Sequence, residues 1–165
     1  MALHEQSVGA SDEWYTPPRI FEALGCRFDM DVASPGWGHT RWIPADAFLT
    51  HDSLARTWKG FVWMNAPFGG RNGLVPWLAK FFEHGNGIAL VPDRTSAPWW
   101  QTYVPRSDVV LFVSPKIHFV DEHGNEGKSP AQGTCLLGLG QRSLRPLHMA
   151  EKAGLGVRMM RAVGS

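Results

Sequence analysis

Cysteine is scarce in this chain: Cys26 and Cys135 are the only two, they form no CxxC pair, and both sit among apolar residues. Neither a disulfide framework nor a zinc site is indicated, and both read as buried thiols. Histidine is better represented, but the spacing of His118 and His123 is not a zinc pattern. No cysteine or carboxylate completes a set around them, so no metal is expected. No stretch approaches the roughly 18 apolar residues of a membrane span. The N-terminal MALHEQSVGA has neither the basic start nor the apolar core of a secretory signal, so residence in the cytoplasm is expected. An excess of one charge is also missing. The formal net charge is +1, which on its own makes no electrostatic case for a nucleic-acid partner. Nor is there length to spare, because 165 residues suffice for one well-buried core and not comfortably for two.

What is present is a folded composition: 44% hydrophobic, 12% aromatic and 19% charged residues, with the apolar ones in short runs. Such a chain can bury a core and is not a disordered one. Residues 1–11 are small and polar without periodicity and read as a flexible arm. The main domain is expected over 12–140. Residues 141–165 carry Arg142, Arg145, Lys152, Arg158 and Arg161 against Glu151; they read as a basic tail, with a helix as one form it can take.

Within the domain, Pro17 and Pro18 open a short amphipathic helix over Arg19–Leu24, and Gly25 ends it. Phe28–Val32 reads as a strand, with a turn at Ala33, Ser34, Pro35 and Gly36. Gly60–Met64 is apolar without alternation, the pattern of a strand covered on both faces. A helix over Leu74–His84 and a strand over Ile88–Val91 follow. That order predicts a parallel crossover. A short helix is expected over Ala97–Tyr103 and further strands over Val109–Val113, Lys116–Val120 and Thr134–Leu139. The polar loop Asp121–Gln132 lies between the last two, which suits an antiparallel C-terminal hairpin. The fold class is thus single-domain α/β with a mostly parallel sheet.

In open α/β sheets ligands bind beyond the carboxyl ends of the strands. Two segments occupy such positions. In Asp29-Met30-Asp31-Val32-Ala33-Ser34 an acidic residue ends a strand, and the small residues after it let the backbone approach a ligand. In Asn65-Ala66-Pro67-Phe68-Gly69 the asparagine oxygen accepts hydrogen bonds, the carbonyl before Pro67 is a second fixed acceptor, and Phe68 offers a flat face to a planar ring. Two acceptors on one exocyclic amino group oppose its conjugation with the ring and leave the nitrogen lone pair more available. Asn, Pro and Gly after a strand also serve as ordinary turn residues.

Asn65-Ala66-Pro67-Phe68 resembles the [Asp/Asn/Ser]-Pro-Pro-[Tyr/Phe] signature of amino-group methyltransferases. Other segments match in order: Tyr15-Thr16-Pro17-Pro18, Phe28 to Ala33, Asp52-Ser53-Leu54, Trp58, Trp63, Leu90 to Thr95 with Trp99-Trp100, and Phe119 with Ser129-Pro130. Together, over roughly residues 12–140, they resemble the phage-type DNA N6-adenine methyltransferase family. The resemblance implies a Rossmann-like fold, S-adenosylmethionine as cofactor, DNA as partner and a bacterial host cytoplasm as setting. It implies Asn65, Ala66, Pro67 and Phe68 as the catalytic segment. It also implies a cofactor site at Tyr15, Thr16, Pro17, Asp31, Ala33, Ser34, Asp52 and Asn65, and Phe68, Arg94 and Phe119 against the target base or its strand.

The chain departs from that pattern at Ala66, where proline is usual, and in having Ala33 to Gly38 in place of a Gly-x-Gly loop. Asp52 either contacts the adenosine or caps a helix; Arg94 contacts phosphate or a surface carboxylate; Trp99-Trp100 meets bases or packs internally. A target adenine in a duplex must leave the stack to be reached. With no separate recognition domain, sequence readout falls to Gly69–Gly73, Asp121–Gln132 or the basic tail, and a short or relaxed site is expected. Dimerisation is a second way to add contacts, so monomer and homodimer both suit. The same acceptor geometry also suits cytosine N4, RNA adenine or protein glutamine, and a chain without a working cofactor site serves as a non-catalytic nucleic-acid-binding module.

Overall fold

The computed structural model describes residues 14–36, 38–69 and 73–163. The arm assigned to residues 1–11 lies outside them, as do Gly70, Arg71 and Asn72 of the first recognition loop. The elements run α1 (Pro18–Leu24), β1 (Met30–Asp31), a 3₁₀ turn (Ser53–Ala55), β2 (Val62–Met64), α2 (Val75–His84) and β3 (Gly87–Pro92). They continue with α3 (Pro98–Tyr103), β4 (Val109–Val113), β5 (Thr134–Leu139), α4 (Gln141–Lys152) and β6 (Gly156–Met160). The strands form one six-stranded sheet in the order β1-β2-β3-β5-β4-β6. β1, β2 and β3 pair in parallel, and the expected crossover is β2-α2-β3. From β3 onward every pairing is antiparallel, as β5 inserts between β3 and β4 and β6 closes the far edge.

Alternation along the strands divides the core into two layers. Trp63, Ile88, Leu90, Val109, Leu111 and Leu136 face α1 and α4, meeting Ile20, Phe21, Leu24, Leu147 and Ala150. Val62, Met64, Ala89, Val91, Val110 and Leu137 face the other way, onto Leu78 and Phe81 of α2 and Trp100 of α3. The sheet is therefore covered on both sides, which is why its strands read as continuous apolar runs. α1 and α2 each begin with proline in the first turn and end at a glycine in the left-handed region, Gly25 and Gly85.

Three expectations change. Lys116–Val120 is not a strand: of these residues only Val120 pairs, through isolated bridges to Tyr15 and Glu126. Both edges of β4 are already taken by β5 and β6, so no ladder remains for this segment to join. The antiparallel part is correspondingly more than a terminal hairpin; it is the whole C-terminal half of the sheet. The segment set apart by its charge carries the helix allowed for it, α4, together with β6, and three of its four arginines are held in Arg142–Asp29, Arg158–Glu151 and Arg161–Asp108 ion pairs. The first strand is also shorter than Phe28–Val32. Beside it, residues 44–49 run parallel as an irregular edge, with Phe28 N–H donating to Pro44 O, Asp31 N–H to Ala47 O and Leu49 N–H to Asp31 O.

Candidate active site

Parallel pairing brings the carboxyl ends of β1 and β2 side by side, with Asp31 opposite Trp63. The chain leaves β1 as Val32-Ala33-Ser34 and leaves β2 as Asn65-Ala66-Pro67-Phe68. A third segment crosses above them. Tyr15 exchanges two backbone hydrogen bonds with Val120, 2.7 and 2.9 Å long, and this bridge fixes Thr16 and Pro17 ahead of α1. The three segments enclose a cavity of about 480 Å³ whose lining includes Tyr15, Thr16, Asp31, Ala33, Ser34, Asn65, Ala66, Pro67, Phe68 and Phe119.

Asn65 is oriented by that third segment. Its Nδ2 donates to the Thr16 hydroxyl at 3.0 Å, and the Thr16 carbonyl accepts from the Trp42 indole at 2.8 Å. With its nitrogen so engaged, the asparagine presents its oxygen as an acceptor. Ala66 is buried in the wall, while Phe68 is 39% exposed at the mouth, the disposition of a ring available for stacking.

Asp31 is the one carboxylate among the described lining residues. It is only 2% exposed, and burial pushes its carboxyl up to about 7 against the opposing effect of a hydrogen bond from the Ala33 N–H. That bond, 3.1 Å long, engages Oδ1. Its Oδ2 accepts no hydrogen bond from the described residues. A carboxylate oxygen left open to the cavity in this way can accept from a ligand that brings hydroxyl groups or positive charge. Ser34 is used locally, its hydroxyl accepting from Gly36 N–H at 3.0 Å to close the turn after β1.

The family model described as DNA N-6-adenine-methyltransferase (Dam) matches residues 5–149. The chain belongs to this family. No curated protein and no solved structure matches it. Methyltransferase chemistry on adenine N6 in DNA is what the family implies, and the cavity gathers Tyr15, Thr16, Asp31, Asn65 to Phe68 and Phe119 of the motif series.

Not every residue singled out by the motifs reaches the cavity. Pro17 is buried at the N-cap of α1 rather than in the cavity lining. Asp52 is exposed ahead of the 3₁₀ turn, in a left-handed conformation and without a side-chain capping bond, so the capping alternative is not realised. Arg94 lines a second cavity that shares Phe68 with the first. Trp99 is half-buried in that second cavity and Trp100 is buried in the core. His39 and His123 both lie against Glu122, and no group of three potential metal ligands occurs among the described residues.

Sequence reasoning gave no site role to Trp14, Pro35, Ile43 or to Trp63 of the motif series, which complete the lining. Trp14 carried a usable signal. It directly precedes the Tyr15-Thr16-Pro17 element, and Gly127 lies so close to its ring that a Cβ there would sit 2.6 Å from it. The loop after Val120 thus folds against a tryptophan at the mouth of the site.

Proposed function

We propose that this chain transfers a methyl group from S-adenosylmethionine to the N6 amino group of adenine in DNA, and that its sheet is a Rossmann-like one adapted to that task. The observation that carries the reading is the pairing of an oriented Asn65 acceptor with the buried, half-satisfied Asp31 carboxylate in one cavity. Its volume of about 480 Å³ lies within the range of roughly 300–1,000 Å³ found for small-molecule sites. The lining is aromatic and apolar with a few polar groups, which fits a nucleoside carrying hydroxyls and a cationic sulfur. Asp31, Ala33 and Ser34 would hold the nucleoside, and Tyr15 and Thr16 the amino-acid end, with Pro17 behind them at the start of α1. Asp52, exposed and outside the cavity lining, is the weakest member of that set.

When bound, S-adenosylmethionine supplies an electrophilic methyl group on sulfur. The protein supplies position. Phe68 and Phe119 flank an adenine drawn out of the helix, and a single stack of this kind contributes about 1 to 3 kcal/mol. Asn65 Oδ1 and the Ala66 carbonyl accept the two N6 hydrogens and so localise the lone pair on nitrogen. The departure from proline at Ala66 leaves that carbonyl available, because it is Pro67 that fixes it. An amide oxygen is too weak a base to take the proton that N6 sheds after attack, so the proton goes to water. No covalent link to the protein is needed, and rate enhancement rests on holding donor and acceptor in attack geometry.

The described residues form one sheet built around the catalytic cavity, so readout by them falls to its loops, which favours a short or relaxed target sequence. The phage-type resemblance favours action in the cytoplasm of a bacterial host. The family match favours DNA adenine over cytosine N4, RNA or protein glutamine. Transfer of a labelled methyl group from S-adenosylmethionine to unmodified duplex DNA, with mass spectrometry of the nucleosides, tests the reading. N6-methyladenine is the expected product. Cofactor binding with no transfer to DNA would overturn it and point to one of the other amino-group acceptors.

A further inference from the structure

Beyond the carboxyl end of β3, next to the site just described, lies a second cavity of about 720 Å³. Phe68 belongs to the wall of both. The order of the sheet makes them successive stations: the first lies over β1 and β2, the second over β3. A polynucleotide strand that delivers one base to the first cavity therefore carries its neighbour towards the second.

The lining of the second cavity suits a nucleotide. Trp99 is half-buried there and braced by Trp100, with ring centroids 5.8 Å apart, which leaves it a preset platform for a base. Arg94 is exposed and makes no ion pair among the described residues. Its turn is held tightly, with Thr95 N–H donating to Asp93 O and Ala97 N–H to Arg94 O at 3.0 Å each. Gln132 is exposed on the opposite loop. That loop is pinned by Asp93 N–H donating to Gly133 O at 3.1 Å, and Asp93 packs so closely that a Cβ on Gly133 would lie 2.3 Å from its carboxylate. The cavity thus presents a stacking surface, a cation and an amide that both donates and accepts, each on anchored backbone.

We infer that this cavity takes the nucleotide adjacent to the target adenine in the same DNA strand. Trp99 stacks on its base, Arg94 meets its phosphate, and Gln132 reads its base edge. The inference rests on the reading of Phe68 as the wall of the target-base site. It gives the described fold a recognition element of its own, limited to one neighbouring base. Stacking tolerates every base, and an amide side chain discriminates among them by its donor and acceptor pattern.

The test uses duplex oligonucleotides with a single target adenine and an abasic site placed in turn on its 5′ and 3′ sides. Single-turnover methyl transfer is measured for the wild type, Trp99→Ala and Gln132→Ala. The wild type is expected to lose about 10-fold in rate for one of the two abasic duplexes. Trp99→Ala loses as much on the intact duplex and nothing further when that base is removed. Gln132→Ala changes the relative rates among the four bases at that position by about 5-fold or more, with cofactor affinity unchanged. Equal abasic penalties in wild type and Trp99→Ala, with unaltered base preference in Gln132→Ala, would overturn the inference and leave the methyltransferase reading standing. Should Trp99→Ala not fold, the exposed Gln132→Ala decides alone. A wild type that methylates no DNA adenine overturns both.

Discussion

Asn65 and Asp31 stand on neighbouring strands and do opposite things with their polar atoms. Asn65 gives its nitrogen to Thr16 and leaves its oxygen without a donor among the described residues; on its proposed role, Asn65→Ala is expected to lower single-turnover methyl transfer by about 100-fold or more, as loss of one positioned hydrogen-bonding group does elsewhere. Cofactor affinity by calorimetry should change little, and equal activity would remove Asn65 from the chemistry. Asp31 is buried with its carboxyl raised to about 7 by desolvation. An acid that holds its proton better folded than unfolded contributes stability fully present below the unfolded pKa of about 4, and that contribution is lost as pH rises to about 7. The difference corresponds to about 4 kcal/mol in the ligand-free protein. Asp31→Asn keeps the shape and removes the charge. It should raise the melting temperature at pH 8 by several degrees, up to about 10 °C, while changing it little at pH 4. The same substitution should weaken cofactor binding at pH 8. A melting difference independent of pH would mean that the carboxylate is not strained by burial. Both residues were legible in the sequence because each stands at the carboxyl end of a strand, Asp31 closing β1 and Asn65 directly after β2, whereas the partner that orients Asn65 was not. Thr16 lies 49 positions away, and tertiary contacts of its segment, the Tyr15–Val120 bridge and the Trp42 indole bond, bring it over β2.

At the scale of elements, α4 is the piece whose sequence misleads most. Its buried residues Ser143, Pro146, Leu147 and Ala150 follow a helical stripe, but Pro146 interrupts it and basic residues surround it, so charge dominates the reading. Tertiary packing restores what the local signals deny. Gly138 on β5 admits the helix: a Cβ there would lie 2.6 Å from both Leu147 Cδ1 and Val109 Cγ1. Asp29 holds the helix's first turn, accepting from Arg142 at 2.7 Å and from Phe61 N–H at 2.6 Å. These bonds keep its carboxyl below the usual carboxylate range, the Phe61 bond being the larger cause. Gly138→Ala is accordingly expected to destabilise the fold by about 1 to 3 kcal/mol through overpacking, measured by urea unfolding, and to leave cofactor affinity intact because the contact is remote from the cavity lining. A neutral result would mean that α4 moves outward at no cost. The helices α1 to α3 needed no such help, since proline or glycine marks their limits and their apolar stripes are uninterrupted.

For the whole molecule, the question is whether residues 1–140 contain a domain by themselves. Composition drew the boundary there, because the basic residues cluster beyond it. The sheet argues otherwise. β6 pairs with β4 along five residues, from Val109–Met160 to Val113–Gly156, and α4 covers the face on which Leu136, Leu111 and Ile88 lie buried. Removing both would open an edge of β4 and uncover the part of one core layer that α1 does not shield, while leaving every motif residue in place. Each fully exposed Leu or Ile costs about 1.5 to 3 kcal/mol, and three such residues amount to a large part of the 5 to 15 kcal/mol that stabilises an ordinary domain. A chain ended after Gly140 is therefore expected to lose cooperative thermal unfolding and cofactor binding together, although it touches no residue assigned to the chemistry. A truncated chain that still melts in one sharp transition and binds S-adenosylmethionine would show that α4 and β6 are an addition to a self-sufficient unit. Joint loss would show that the antiparallel half of the sheet is what holds the parallel half, and with it the site, in shape.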